Sequence, residues 1–170
     1  KILASPRTLE LFVDRATAMQ VPYDDPEAPI SPVTVATAHE AGWSWDIGLP
    51  ERRGVGYVWS SNHTDETRAE EILRAHIGPA AETLSARQLK LRVGHREKHW
   101  VKNCIAVGLS GGFVEPLEST GIMLIETAAW MLARTFPRSG EMEDTAKLFN
   151  QAMADRYRGV FDFLKLHFCL

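Results

Sequence analysis

The chain has 170 residues, 45% hydrophobic and 24% charged, with 19 basic against 22 acidic side chains and a net charge of -3. This is the composition of one ordinary globular domain, and it excludes a disordered or low-complexity chain. The acidic balance argues against general binding to nucleic acid or membrane surfaces. No apolar run approaches the ~20 residues of a membrane span, and no signal peptide opens the sequence.

Leu9-Glu10-Leu11-Phe12-Val13, followed by Met19 and Val21, fits either a strand or a short helix over residues 5–21. Pro22, Pro26, Pro29 and Pro32 then mark a loop carrying Asp24, Asp25 and Glu27. From Val33 the period is two. Trp43, Trp45, Ile47 and Leu49 alternate with Ser44, Asp46 and Gly48, the pattern of a half-buried strand. Arg52-Arg53-Gly54 predicts a turn, and Val55-Gly56-Tyr57-Val58-Trp59-Ser60 the next strand of a hairpin or meander.

Thr64-Asp65-Glu66 supplies an N-cap and an acidic first turn for a helix with Ala69, Ile72, Leu73 and Ile77 at helical spacing; Gly78-Pro79 ends it. Leu89, Leu91 and Val93 alternate with Lys90 and Arg92, which predicts a half-exposed strand. The short apolar run Cys104-Ile105-Ala106-Val107 predicts a fully buried one. Residues 122–136, apolar on nearly every face and broken by Pro137, predict a buried helix. A last helix starts near Met142, with Phe149, Met153, Tyr157, Val160 and Leu164 on one stripe. The fold class expected is mixed α+β, with an antiparallel sheet first and a mainly helical second half.

The chain begins at Lys1, and its apolar final residues 160–170 stop without a Gly or Asn cap. They read as part of a longer protein, or else as a helix docked on its own domain. Cys104 and Cys169 lack metal-ligand spacing and are expected to be buried thiols in a reducing compartment, the cytoplasm. His95 and His99 are four apart in a strand or turn context, with no acidic residue completing a zinc motif, so no metal is expected.

Residues 108–121 hold the most chemistry. Gly108, Gly111 and Gly112 allow close approach to a ligand or positive φ. Ser119, Thr120 and Gly121 offer N–H groups at a helix start, where the macrodipole favours an anion. Glu115 and Glu118 flank Pro116-Leu117, and a carboxylate there can act as a base. A plain Ser/Thr cap after a glycine turn accounts for the same residues without a ligand. Trp43 and Trp45, two apart, face one side of their strand, as core or as the wall of a cavity.

Two segments together, Trp43-Ser44-Trp45-Asp46-Ile47 and Glu115-Pro116-Leu117-Glu118-Ser119-Thr120-Gly121-Ile122, resemble the flavin-dependent tryptophan halogenases. Arg53-Gly54-Val55-Gly56-Tyr57-Val58-Trp59-Ser60-Ser61 and Trp100-Val101-Lys102-Asn103-Cys104-Ile105-Ala106-Val107-Gly108-Leu109 fit the family in register. The resemblance implies part of a flavin-monooxygenase-like FAD fold, a single catalytic unit with a sheet-rich part, residues 1–108, and an active-site loop with helices, residues 109–170. It implies that reduced FAD, supplied by a flavin reductase, and molecular oxygen oxidise chloride or bromide to hypohalous acid, which halogenates an electron-rich aromatic such as tryptophan or an indole.

By the same resemblance, Glu118 is the catalytic glutamate and Ser119 its neighbour, Thr120 and Gly121 hold the halide, and Pro116, Leu117 and Ile122 contact the flavin. Trp43, Trp45 and Ile47 line the tunnel between flavin and substrate. The family's setting in antibiotic biosynthesis is implied as well, and a homodimer is left open. Where the family motif continues Ile-Pro, this chain has Gly48, with Pro50 two further on. The sequence shows no Gly-rich FAD-anchoring motif, no counterpart of the family's early lysine and no C-terminal segment closing over tryptophan. The chain alone is therefore expected to be inactive. A monooxygenase of the same fold and a non-catalytic binding module are the alternative readings.

Overall fold

The computed structural model describes residues 6–8, 12–137 and 142–168. The fold is mixed α+β, in two compact units: residues 12–91, and residues 1–11 with 92–170. Strand β1 (Pro6–Thr8) belongs to the second.

The first unit is a five-stranded antiparallel sheet in the order β3-β4-β5-β2-β6, from β2 (Arg15–Pro22), β3 (Val35–His39), β4 (Gly42–Gly48), β5 (Arg52–Trp59) and β6 (Arg87–Lys90). Of the two readings open for residues 5–21, the strand is the one formed, from Arg15 on. Its period-two pattern supplies one face to a core. Met19, Val21, Val55, Tyr57 and Trp59 pack against Ala69 and Leu73 of helix α1 (Glu66–Ile77). The Asp65 side chain accepts from the Arg68 N–H and caps α1, and Gly78 ends it at φ 87°. Inside this sheet the fully buried Thr17 hydroxyl donates to Gln88 Oε1 (2.7 Å) and accepts from the Trp59 indole N–H (3.1 Å).

Arg52, Arg53 and Gly54 are not a turn but the start of β5. The chain reverses over residues 49–51, closed by the Leu49 N–H on the Arg52 carbonyl (2.9 Å). Arg53 lies opposite Gly48 and forks onto Asp46 of the neighbouring strand, so an ion pair across the ladder holds extended a segment that composition marked as a turn. Strand β6 stops at Lys90, short of Leu91 and Val93.

The second unit has a small antiparallel sheet, β1-β7-β10, with β7 (Gly94–Arg96) central and β10 (Gly112–Phe113) at one edge. A two-residue pair joins β8 (Trp100–Val101) and β9 (Cys104–Ile105). Helices α2 (Thr120–Thr135) and α3 (Met142–Phe168) complete it. Phe149, Met153, Tyr157, Val160 and Leu164 of α3 form the expected buried stripe, packed with Trp100, Val114, Leu124 and Ala128. The Asn150 side chain on α3 acts as one more strand residue. It accepts from the Trp100 N–H (2.7 Å) and donates to the Trp100 carbonyl (2.8 Å).

Two expectations fail here. Residues 104–107 form no fully buried strand: only Cys104 and Ile105 pair, both half-buried, and Cys104 is a free, half-buried thiol. Helix α2 is not buried on nearly every face. Thr120, Leu124 and Ala128 point inward, whereas Ile122 (67% exposed), Met123, Ile125 and Trp130 (59%) meet solvent. An i, i+4, i+8 stripe is all that one packed face can cover. Cys169 lies outside the described residues. Among the described residues no helix is long and apolar enough to cross a membrane, and no group of three His, Cys, Asp or Glu is placed to hold a metal.

Candidate active-site turn

From the fully buried Glu115 (0% exposed) the chain enters a 3-10 turn, Leu117–Ser119, and runs directly into α2. Glu118 (φ 53°, ψ 29°) and Ser119 (φ 54°, ψ 26°) are both left-handed. That conformation costs roughly 1–2 kcal/mol for each residue with a Cβ, and neither is glycine. Two in succession aim the Glu118 and Ser119 side chains outward. Both are exposed, and among the described residues Glu118 has no hydrogen-bond or ion-pair partner.

The plain helix-cap reading of these hydroxyls does not hold. Ser119 sits at the N-cap of α2 but its side chain caps nothing, and the buried Thr120 hydroxyl turns back to donate to the Glu115 carbonyl (3.4 Å). The Ser119 and Thr120 N–H groups are turned inward as well, onto the carbonyls of Pro116 (3.3 Å) and Leu117. The first turn of α2 is thus left without a side-chain cap. A Cβ on Gly121 would meet nothing within 4 Å, so the space there is open. An uncapped helix start beside open space suits an anion. For the halide and flavin implied by the resemblance, this turn fits: Thr120 and Gly121 stand at the helix start, Pro116 and Ile122 are exposed, and Leu117 is anchored on the core.

The glycines of residues 108–112 serve packing more than a ligand. Only Gly108 takes positive φ (64°). A Cβ on Gly111 would press on His99 Nδ1 (2.9 Å), and one on Gly112 on the Gly94 carbonyl (2.7 Å).

Trp43, Trp45 and Ile47 belong to the other unit and share one face of β4. The indoles meet edge-on, 6.3 Å between centroids, with Trp43 at 8% exposure, Trp45 half-buried and Ile47 partly exposed. Among the described residues the buried Trp43 indole N–H has no acceptor. Trp45 lies over Gly56, its partner across β5, and a cavity of about 480 Å³ opens beside it. The structure thus gathers residues 115–122 into one turn and the tryptophan motif onto one sheet face, each in its own unit.

One cluster escaped the sequence reading. His95 and His99 stack on each other (5.9 Å) and on Tyr157 of α3 (4.6 and 5.2 Å). Burial holds the His99 pKa below its usual value, against the Ala106 carbonyl, which raises it, and with His95 and Arg96 lowering it further; among the described residues His99 Nε2 is buried without a partner. Burial pushes Tyr157 up to about 12. The four-residue spacing of the histidines was visible, but their meeting with Tyr157 requires the tertiary fold.

Residues 4–170 match the sequence profile of a family described as tryptophan halogenase. The chain is 44% identical over 155 residues to the tryptophan 6-halogenase SttH of Streptomyces toxytricini, covering 91% of this chain and 30% of that protein. It is 43% identical over 155 residues, with the same coverage, to the 7-chloro-L-tryptophan 6-halogenase KtzR of Kutzneria sp. (strain 744). Among solved structures it superposes on Tar14, a tryptophan C-6 flavin-dependent halogenase from taromycin biosynthesis, with a TM-score of 0.86 and 46% identity over 92% of this chain and 31% of that one. The tryptophan halogenase of Shewanella frigidimarina NCIMB 400 gives 0.87 and 45%, over 92% and 30%. The chain therefore spans about 30% of the length of the curated relatives it matches. With the profile matched along nearly the whole chain and the strained turn and paired tryptophans in place, the chain belongs to the tryptophan halogenase family.

Proposed function

We propose that this chain carries the catalytic turn of a flavin-dependent halogenase acting on tryptophan, an indole or a related electron-rich aromatic. The observation that carries the reading is the pair of left-handed residues, Glu118 and Ser119, set before an uncapped helix. Backbone strain of this kind persists where a side chain must be held in one direction. Bound reduced FAD supplies, with dioxygen, the oxidising equivalents that turn halide into hypohalous acid.

The residues of this chain do the rest in four roles. Thr120 and Gly121 hold the halide at the start of α2. Pro116, Leu117 and Ile122 form the surface against the flavin. Trp43, Trp45 and Ile47 wall the path of the oxidant and keep water out of it. The Glu118 carboxylate, beside Ser119, accepts the hydrogen bond of the hypohalous O–H and turns its halogen toward the ring. As the carbon–halogen bond forms, the halogen–oxygen bond breaks and the oxygen leaves as hydroxide; Glu118 takes the ring proton and passes it to that hydroxide, which departs as water, and the carboxylate is restored. The reading places a flavin reductase as redox partner, and the cytoplasm, where Cys104 stays a thiol, as compartment.

The test is Glu118→Gln in the enzyme that contains this chain, assayed with reduced flavin, halide and an indole. Halogenated product should fall at least roughly a hundredfold, as for loss of a general base. Undiminished product overturns the role of Glu118, and hydroxylated product without halide dependence identifies a monooxygenase. Bromide soaked into crystals should give anomalous density at the start of α2, beside Thr120 and the Gly121 amide. Density only elsewhere removes them from the halide site.

A further inference from the structure

Strand β4 is gripped from behind. Trp43, Trp45 and Ile47 stand on one of its faces, so Ser44, Asp46 and Gly48 stand on the other, the side packed by α1. Each of these three back positions has its own partner. The fully buried Ser44 hydroxyl lies 2.9 Å from His39 Nε2 on β3. The His39 ring is itself wedged between Tyr57 of β5 and His76 of α1, edge-on at 5.1 and 5.4 Å. Asp46 receives the fork of Arg53, with Nε at 3.1 Å.

Gly48 receives a strap, residues 23–33, that crosses the end of the strand. A Cβ on Gly48 would press on Ile30 Cγ2 (2.8 Å), the Ser31 carbonyl (3.0 Å) and the Tyr23 hydroxyl (3.2 Å). The same Tyr23 hydroxyl donates to the Leu49 carbonyl (3.0 Å) and closes the clasp. Pro26, Pro29 and Pro32 stiffen the strap, and the Asp25 carboxylate holds a turn within it by accepting the Glu27 N–H (2.9 Å). All of these contacts are internal to residues 12–91, and none depends on which face of the unit is exposed.

Stability alone is a poor reason for this arrangement. A fully buried hydroxyl carries a desolvation cost, and a half-buried ion pair contributes little. What such contacts supply is register and direction. A slip of one residue would turn both indoles to the α1 side. A strand fixed at three alternate back positions also resists twisting its front side chains out of line.

We propose that this brace holds the wall of the oxidant's path in shape for the reaction: His39 and Tyr23 are positioning residues, acting on Trp43, Trp45 and Ile47 through Ser44 and the Leu49 carbonyl. The proposal rests on the wall role given above to those three front residues. A slack wall lets oxidant escape before it meets the ring, so flavin is consumed without product.

The test compares His39→Phe and Tyr23→Phe in the enzyme that contains this chain. Each keeps an aromatic ring and removes one polar contact. With reduced flavin, halide and an indole, each should give roughly tenfold less halogenated product per reduced flavin consumed, while flavin is consumed at the unaltered rate. His39→Gln, whose amide can still bond Ser44, should recover most of the product. Enzyme labelled with 5-fluorotryptophan gives an independent readout. The fluorine resonances of Trp43 and Trp45, assigned by replacing each with phenylalanine, should broaden or split in both variants. Should either variant fail to fold by far-UV circular dichroism, Ile30→Ala, which trims the strap's contact on Gly48, takes its place with the same expected effect. Unaltered product per flavin, product and flavin consumption falling in step, or unchanged fluorine resonances in the folded variants overturns the proposal. If the unaltered enzyme gives no halogenated product at all, the halogenase reading falls, and the brace's role falls with it.

Discussion

The indole of Trp45 rests directly on the backbone of Gly56, its partner across β4 and β5, and occupies the volume that a Cβ at position 56 would need. The orientation of one member of the tryptophan motif is thus set by the absence of a side chain on the next strand.

Gly56→Ala should force the indole aside or bend the strand, at about 1–3 kcal/mol of stability, as for an overpacked site. Chemical denaturation should show a lowered midpoint, with a changed tryptophan emission spectrum in the native baseline. An unchanged midpoint and spectrum would mean that the indole has room to move.

The turn at Glu118 and Ser119 should behave oppositely. Glu118→Gly and Ser119→Gly remove a left-handed penalty, offset in part by the greater freedom of glycine in the unfolded chain. Each should raise stability by roughly 0.5–1 kcal/mol while weakening halogenation in the whole enzyme. Loss of stability in both variants would show that the turn is not strained.

Asn150 bridges both backbone groups of Trp100. Asn150→Ala leaves two partly buried main-chain groups without partners and should cost about 2–3 kcal/mol. Asn150→Asp keeps the acceptor and loses the donor. It should fall between the two in thermal melts, and hydrogen exchange at the Trp100 amide should accelerate most in the alanine variant.

His99 makes stability depend on pH. Its folded pKa is held below the ordinary 6.5, first by burial and then by His95 and Arg96. The unfolded chain therefore takes up the proton more readily, so the stabilisation is present above pH 6.5 and drains away as the pH falls through and below it. The slope from this group reaches at most about 1.4 kcal/mol per pH unit. His99→Phe should flatten the acid limb of a stability–pH curve, although His39, also lowered by burial and by His76, keeps part of it. Tyr157 works at the other end. With its folded pKa raised to about 12, its contribution is complete below the ordinary 10.0 and lost as the pH climbs through 12.

Much of this architecture was readable in the chain. The cap at Asp65, the stop at Gly78 and the α3 stripe follow from local chemistry and the helical period, and they appear where expected. Arg52 to Gly54 misled because two arginines and a glycine look like a turn until Asp46 is placed opposite Arg53. Residues 122–136 misled because apolar composition on every side measures what a helix can bury, not what it meets. At the site, the residue types of 115–121 were legible, but their left-handed backbone was not, since neither Glu nor Ser advertises it.

The solvent-facing side of α2 also governs how this chain handles at the bench. Ile122, Met123, Ile125 and Trp130 present a nearly uninterrupted oily strip to water, with Glu126 the charge set among them. Sulfate and other salting-out ions strengthen the attraction between such strips, whereas modest ionic strength leaves it almost untouched. Light scattering in ammonium sulfate should therefore rise with protein concentration well before any unfolding. Replacing Ile125 and Trp130 by polar residues should shift that onset to higher salt without moving the melting temperature.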